Sequence, residues 1–209
     1  MPTELYELSF AREERKYQGF ALDESASILG GESLIEDITP RGRKAGLDRW
    51  CPPRLREIWK APKVYGKVSP KHDCPGINLI YPAFSKRACD ALADFLNPSG
   101  ELLPLATDVG EYFFFHITKI IDALDQDRTI CTRLASDPKR IVDIEEYAFI
   151  ESMVSGVDIF RTVDLPINVI VSGRFVARVQ ECGLRGFRFT KMWPHPPGTK
   201  WRQSPEILT

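Results

Sequence analysis

The chain has 209 residues, of which 43% are hydrophobic and 27% are charged, as is usual for folded soluble proteins. Its formal net charge of −1 argues against a general nucleic-acid-binding protein, which needs a basic excess to displace counterions from phosphates. No apolar stretch approaches the roughly 20 residues that span a bilayer, and the N-terminus lacks the basic and apolar regions of a signal peptide. The five cysteines are scattered and odd in number, so the sequence predicts a protein of the reducing cytoplasm.

The first third of the chain differs in composition from the rest. Tyr6–Phe10 is predicted to form an opening strand. The later part of this region is rich in proline, glycine and basic residues, with Trp50 and Trp59 as apolar anchors. We therefore expect an ordered but irregular N-terminal arm over residues 1–75, packed on a domain that comprises residues 76–209.

Two later segments share one pattern, in which a β-type apolar run leads through a serine into an amphipathic helix. In each unit the serine is predicted to be the N-cap of the helix. The first unit comprises Ile77–Pro82, Ser85 and Lys86–Leu96, and the second comprises Ile167–Val171, Ser172, Gly173–Cys182 and Gly186–Phe189. The units are either an internal duplication or two ordinary pieces of strand and helix, and the sequence leaves both readings open.

Further strands are predicted between and around these units. They are Leu102–Leu105 at a sheet edge, the buried run Tyr112–Ile121, the hairpin strand Ile130–Leu134, Glu146–Ile150 and Asp158–Thr162. Together the elements predict an α+β protein. We expect a mixed, largely antiparallel sheet with a few flanking helices, two strand–Ser–helix–strand units and the irregular N-terminal arm.

Catalytic and metal-binding patterns are absent from the sequence. The chain has three histidines and no pair of ligands at zinc-finger spacing, so no metal or cofactor is predicted. Ser172 follows a strand and precedes a helix, but it lacks the G-x-S-x-G context of a nucleophile, and helix capping explains both it and Ser85. His116 is expected to be a buried core histidine. The sequence thus predicts a protein that is not an enzyme.

Two short acidic segments are the best candidates for a binding surface. The first carries Asp122, Asp125 and Asp127, and the second carries Glu145 and Glu146 beside Tyr147. Such patches complement a basic partner and accelerate encounter with it. The plainer alternatives are that these charges only make the surface soluble, and that Asp125 only caps a turn.

Several short motifs occur in an order that resembles a known family. This family is the DUF1629 domain of bacterial polymorphic toxin systems, also catalogued as an immunity protein family of the MXAN_0049 type. The resemblance covers about the last two thirds of the chain. The motifs are Ser85, Leu103-Pro104-Leu105, Tyr112 with Asp122 to Asp125, Ile159-Phe160-Arg161, Val169-Ile170-Val171-Ser172 and Gly186-Phe187-Arg188-Phe189.

The resemblance implies an immunity protein that neutralises a cognate toxin by stoichiometric binding, without catalysis. The implied partner is the C-terminal domain of the toxin, and many such toxins are basic and act on nucleic acids. The six acidic-segment residues named above would then be the toxin contacts. The protein itself is expected to bind neither nucleic acid nor membrane.

Two other functions stay open at this stage. One is a binding or regulatory module unconnected to toxins, including a homodimer formed through an exposed sheet edge. The other is an enzyme whose site lies near His116 or between the two strand–Ser–helix units, which a deep pocket with converging titratable residues would favour.

Overall fold

The protein is seen here in a computed structural model that describes residues 3–10, 19–22, 52–69, 71–78, 80–164 and 167–209. In these residues thirteen strands and a few short helices form an α+β fold, which confirms the predicted class. Nearly all neighbouring strands are antiparallel, although they are divided among four sheets rather than placed in one. Most of the predicted N-terminal arm, with Trp50, lies outside the described residues.

The elements have the following bounds. The strands are β1 (Leu5–Phe10), β2 (Ala21–Leu22), β3 (Val64–Tyr65), β4 (Ala83–Ser85), β5 (Gly100–Pro104), β6 (Tyr112–Ile117), β7 (Ile120–Ile121), β8 (Ile130–Leu134), β9 (Asp137–Glu146), β10 (Ile159–Thr162), β11 (Val169–Ser172), β12 (Phe187–Trp193) and β13 (Glu206–Leu208). The α-helices are α1 (Lys86–Ala91), α2 (Ala93–Leu96), α3 (Glu151–Val154) and α4 (Gly173–Glu181), and Trp201–Gln203 forms a 3-10 turn.

The largest sheet has six strands in the order β13-β12-β1-β11-β10-β7. β1 lies between β11 and β12 and is antiparallel to both, with Leu5 opposite Ser172 and Phe10 opposite Phe187. The only parallel pair in this sheet joins β10 to β7. The opening strand predicted from the sequence is therefore confirmed, and it occupies an interior position of the sheet.

A second sheet has the order β4-β6-β5, so β5 is an edge strand, as its proline predicted. The strand expected at Ile77–Pro82 is wrong. Ile77 donates its N–H to the carbonyl of Tyr81 at 2.8 Å, and Asn78 between them has a φ of 49°. This left-handed residue closes a tight turn, which asparagine tolerates better than most residues. The strand therefore begins only after the turn, at β4.

The two strand–Ser–helix units repeat one register. Ser172 and Phe187 lie 87 positions after Ser85 and Gly100, and the corresponding strands flank a middle strand in both sheets. Ser85 and Gly100 pair with the two ends of β6, as Ser172 and Phe187 pair with the two ends of β1. The middle strand β6 follows the first unit in the sequence, whereas the middle strand β1 precedes the second unit. This register supports an internal duplication with a permuted middle strand.

The helices α1, α2 and α4 pack on both sheets and form one core with them. Among its largest fully buried side chains are Phe84, Leu92, Phe175 and Phe187, and the rings of Phe84 and Phe187 stack at 5.7 Å. Each such side chain contributes about 1.5–3 kcal/mol through the apolar surface it removes from water. Two further apolar clusters, one around Phe114 and one around Phe149, cover other surfaces of the sheets. The common core joins the two units into one body.

Candidate functional site

The structure brings the two acidic segments together. Leu124 and Phe149 form an antiparallel bridge, and Asp125 donates its backbone N–H to the carbonyl of Ala148 at 2.9 Å. The pairing continues into the β8-β9 hairpin, where Ile130 of β8 lies opposite Glu146 of β9. The strand predicted at Glu146–Ile150 is wrong, because β9 already begins at Asp137 and ends at Glu146. The residues after β9 instead border the segment that carries Asp122, Asp125 and Asp127.

The first acidic segment presents its carboxylates to solvent to different degrees. Asp122 and Asp127 are exposed, whereas Asp125 is half-buried. The Asp125 Oδ1 atom accepts hydrogen bonds from the backbone N–H groups of Asp127 at 3.2 Å and Arg128 at 3.1 Å. Asp125 therefore has the turn-capping role that the sequence left open, while Asp122 and Asp127 remain at the surface.

In the second segment the charged groups have partners within the chain. Lys200 Nζ lies 2.6 Å from Glu145 Oε2, and Glu146 Oε2 accepts the N–H of Gly198 at 3.0 Å. Next to them Arg202 binds both carboxylate oxygens of Asp143, which holds the pKa of that carboxyl below its ordinary value. These partners are more than 50 positions away in the sequence, so no local pattern could reveal them.

Tyr147 is buried rather than displayed beside the two glutamates. Its side chain is only 5% exposed, and its ring stacks on Phe149 with centroids 5.6 Å apart. The ring of Trp201 meets it edge-on at the same distance of 5.6 Å. Burial raises the pKa of the Tyr147 phenol above its ordinary value. In this structure Tyr147 therefore belongs to the buried apolar cluster around Phe149 and not to the exposed surface.

A second group of buried polar residues was only partly anticipated. His116 of β6 pairs with Glu101 of β5, and Arg161 of β10 lies near them. All three are at most 4% exposed. The sequence pointed to His116 as a core histidine, whereas Glu101 gave no signal and Arg161 appeared only within a strand motif. Their proximity depends on the pairing of β5 with β6 and on the course of β10.

The hydrogen bonds of this group are directed at the chain that covers it. His116 Nε2 donates to the carbonyl of Pro53 at 2.9 Å, and Glu101 Oε2 accepts the N–H of Leu55 at 2.8 Å. Burial is the largest cause of a lowered pKa of His116, although the Pro53 hydrogen bond opposes it, so the imidazole is neutral at physiological pH. His116 and Glu101 thus hold the backbone at Pro53 and Leu55 against the β4-β6-β5 sheet.

Arg161 is unusual because its guanidinium is buried without a full set of partners. Its Nε atom makes no hydrogen bond, and burial lowers the pKa of Arg161 to about 10. A buried cation in this situation reduces stability unless other groups compensate for its lost hydration. No carboxylate of the described residues forms an ion pair with it.

The two serines that open the helices are N-caps, as predicted. Ser85 Oγ accepts the N–H of Ala88 at 3.1 Å and donates to Asp73 Oδ1 at 2.6 Å. Ser172 Oγ accepts the N–H of Phe175 at 3.2 Å and donates to Asp158 Oδ1 at 2.6 Å. Both hydroxyl groups are therefore engaged in structure.

Each cap is completed by an arginine two positions after its serine. Arg87 binds Asp73 through two nitrogens, at 2.6 and 3.2 Å, and Arg174 binds Asp158 in the same way, at 2.7 and 3.2 Å. We call Asp73, Ser85 and Arg87 the first cap, and Asp158, Ser172 and Arg174 the second cap. The aspartates were not predicted, because each lies more than ten positions before its serine.

The part of the chain that the structure describes holds neither a metal-binding cluster nor a helix able to cross a membrane. No group of three or more His, Cys, Asp or Glu side chains in these residues is placed to hold a metal ion. None of the helices in the same ranges has the length and apolar character required to cross a membrane. The four cysteines that can be described, at positions 74, 89, 131 and 182, are free thiols.

Comparison with protein families gives a match for part of the chain. Residues 106–193 match the family model described as "Immunity protein family (Imm11)". No curated protein matches the chain significantly. The matched region contains both acidic segments, Arg161 and the whole second cap. The match leaves the DUF1629 name unconfirmed and confirms the more general expectation: over residues 106–193 this chain is similar to an immunity protein family.

Proposed function

We propose that this protein neutralises a cognate bacterial polymorphic toxin by binding it stoichiometrically. The observation that carries the proposal is the match of residues 106–193 to an immunity protein family, which suggests immunity against a toxin. In this proposal the protein acts by occupying or distorting the C-terminal toxin domain and performs no catalysis. It acts in the cytoplasm of the producing cell, before the toxin reaches its target there.

The proposed toxin contact is the acidic surface formed by Asp122, Asp125 and Asp127 together with Glu145 and Glu146. Both acidic segments lie inside the matched region and beside each other. Asp122 and Asp127 are the exposed members, so in this proposal they meet the partner first. Tyr147 was predicted as a sixth contact. Because it is only 5% exposed, in this proposal it contacts the toxin only if binding exposes it. The complementary toxin surface would be basic, as expected of a toxin that acts on nucleic acids.

The experiment is co-expression of the full chain with the toxin encoded next to it. Growth rescue and co-purification at one-to-one stoichiometry are the expected results. Failure of both rescue and co-purification would contradict the proposal. Rescue that requires far less immunity protein than toxin, with no complex, would instead indicate an enzyme and would also contradict it.

Charge reversal tests the proposed contact surface separately. The variant Asp122→Lys with Asp127→Lys should associate with the toxin more slowly by about 10-fold or more at low salt. The matched control is Asp94→Lys with Glu181→Lys, two exposed acids on α2 and α4 whose reversal changes the net charge equally. If both variants associate with the toxin equally slowly, the acidic segments are not the contact, and the proposed immunity function still stands.

The division of the chain into an arm over residues 1–75 and a domain over residues 76–209 stays part of the proposal. If it is right, limited proteolysis should cut first near residue 76, and the N-terminal fragment should stay bound to the rest because β1 lies between β11 and β12. A first cut at a clearly different position would contradict the boundary. The position of β1 inside the six-stranded sheet shows that part of the proposed arm belongs to the core of the fold.

A further inference from the structure

The segment of residues 52–69, called here the basic segment, has a charge opposite to that of the whole chain. It contains five cations against the single carboxylate of Glu57, in a protein whose formal net charge is −1. The cations are Arg54, Arg56, Lys60, Lys63 and Lys67. The remainder of the protein is therefore acidic, and this segment concentrates positive charge in one stretch. It lies outside the region of residues 106–193 that matches the immunity family.

All five cations are exposed, and the described residues offer them little neutralising charge. The one ion pair that the described residues offer them joins Arg54 to Glu101 at 4.0 Å, the limit for such a contact. Lys63 instead lies over the ring of Tyr65, 5.4 Å from its centroid. This differs from the acidic residues of β9, where Asp143 and Glu145 each have a basic partner at 2.6 Å. The basic segment therefore presents its charge outward.

The backbone of the basic segment is fixed although it has little regular structure. At its start Leu55 is fully buried and bonded to Glu101, and Pro53 is bonded to His116. In the middle the indole N–H of Trp59 donates to the carbonyl of Pro104 at 2.8 Å. A segment held in this way loses little conformational freedom when a partner binds.

Further along, two backbone hydrogen bonds join the basic segment to Ala106, two positions after the end of β5. Ala106 donates to Pro62 at 3.0 Å, and Val64 donates to Ala106 at 3.1 Å. Two apolar side chains stand exposed among the cations, with Ile58 46% exposed and Tyr65 54% exposed. Exposed apolar groups surrounded by exposed charge are typical of a protein-binding surface, where the apolar groups are buried and the charges form the rim.

From these observations we infer that the basic segment is a second docking surface, which binds an acidic surface of the toxin. This inference rests on the proposed function and extends it. The basic segment packs in a different apolar cluster from the acidic segments, so the toxin would meet it as a separate surface of opposite charge. Opposite charges at two places select one relative orientation, because the reversed arrangement brings like charges together.

A protein partner fits this segment better than a nucleic acid does. Single-stranded nucleic acids bind through rows of aromatic rings on which successive bases stack. Here the ring of Trp59 packs against Phe114 with centroids 5.8 Å apart, and Lys63 already covers one side of Tyr65. The basic segment thus has charge for phosphates but lacks the stacking surface.

The experiment compares two double charge reversals in the full chain. Lys60→Glu with Lys67→Glu alters the basic segment, and Lys139→Glu with Arg140→Glu alters two exposed cations of β9 by the same total charge. Association of each variant with catalytically inactivated toxin is measured at several salt concentrations, and circular dichroism verifies that each variant is folded. We expect the first variant to associate about 10-fold or more slowly at low salt with a reduced salt dependence, and the control to stay within about 2-fold of the unaltered protein.

The possible results distinguish the inference from the proposed function. If the unaltered protein binds the toxin and both variants behave alike, the docking role of the basic segment is overturned while toxin binding stands. If the unaltered protein does not bind the toxin, both are overturned. A labelled single-stranded oligonucleotide serves as the second probe. Micromolar binding that disappears in the Lys60→Glu, Lys67→Glu variant would assign the segment to nucleic acid and overturn the inference.

Discussion

Ser85 donates its hydroxyl proton to the carboxylate of Asp73 across 2.6 Å, at the first turn of the helix that it caps. Ser172 repeats the relationship with Asp158 at the same distance. The backbone repeats it too, since each serine donates its N–H to the carbonyl of its aspartate at 2.9 Å. Two helices are thus tied to preceding loops by one arrangement of side chains, which is the most detailed sign of the internal repeat.

The two caps should contribute unequally to stability. Asp73 is 5% exposed at its side chain and also accepts the N–H of Arg185 at 2.9 Å, whereas the Asp158 side chain is 17% exposed. We expect Asp73→Asn to lower the free energy of unfolding by about 2 kcal/mol and Asp158→Asn by about 1 kcal/mol. Urea unfolding at neutral pH measures both.

The control for the caps is Asp94→Asn, because this side chain is 87% exposed and 4.0 Å from its nearest basic group. It should leave the unfolding midpoint unchanged. Equal losses for Asp73→Asn and Asp94→Asn would show that the cap geometry does not carry the stability assigned to it.

Glu7 should make the protein less stable as the pH rises. Burial is the largest cause that raises the pKa of Glu7 to about 7 from an ordinary value of 4.5, and Glu206 adds to it while Arg202 opposes it. Between these two values the folded protein binds a proton that the unfolded chain has released. Stability is therefore highest below the lower value and falls as the pH rises toward about 7.

The variant Glu7→Gln removes this titration and keeps a side-chain oxygen that can accept the hydrogen bond from Asn168. We expect it to unfold with a free energy about 1–3 kcal/mol above that of the unaltered protein at pH 8 and to match it at pH 4. Urea unfolding at pH 4, 6 and 8 tests this, with Glu181→Gln as an exposed control. A difference that does not vary with pH would contradict the assignment.

Trp59 should determine whether the basic segment stays fixed. Its indole bonds to Pro104 and packs on Phe114, so Trp59→Ala removes both contacts and Trp59→Phe removes only the hydrogen bond. Limited trypsin digestion should cut the alanine variant after Lys60, Lys63 or Lys67 several-fold faster than the unaltered protein, because local opening limits cleavage. The phenylalanine variant should lie between them. Identical digestion rates would mean that other contacts fix the segment.

Arg161 should be replaceable by an apolar side chain without loss of stability. Its Nε atom has no hydrogen-bond partner, and burying a cation costs hydration energy. We expect Arg161→Met to leave the free energy of unfolding unchanged or to raise it by up to about 2 kcal/mol. Arg174→Met is the contrasting variant, because it breaks the second cap and should destabilise. A large loss on Arg161→Met would show that the guanidinium has a stabilising partner after all.

Local sequence determined the features that depend on neighbouring residues. A serine before an amphipathic run satisfies free N–H groups within three positions, so Ser85 and Ser172 could be identified as caps. Alternation and aromatic content likewise indicated β1, β6 and β12. The turn at Asn78 shows where this reasoning failed, because an apolar run can serve a bend as readily as a strand.

Tertiary structure alone decided which distant residues meet. Strand pairing placed β1 between β11 and β12, more than 150 positions away, and chain packing gave Glu145 its partner Lys200 and Ser85 its partner Asp73. The second acidic segment therefore looked free in the sequence, although Glu145 is paired with Lys200 in the structure. Charge pattern is set by composition, but whether a charge is available to a partner depends on contacts between residues that no local window contains.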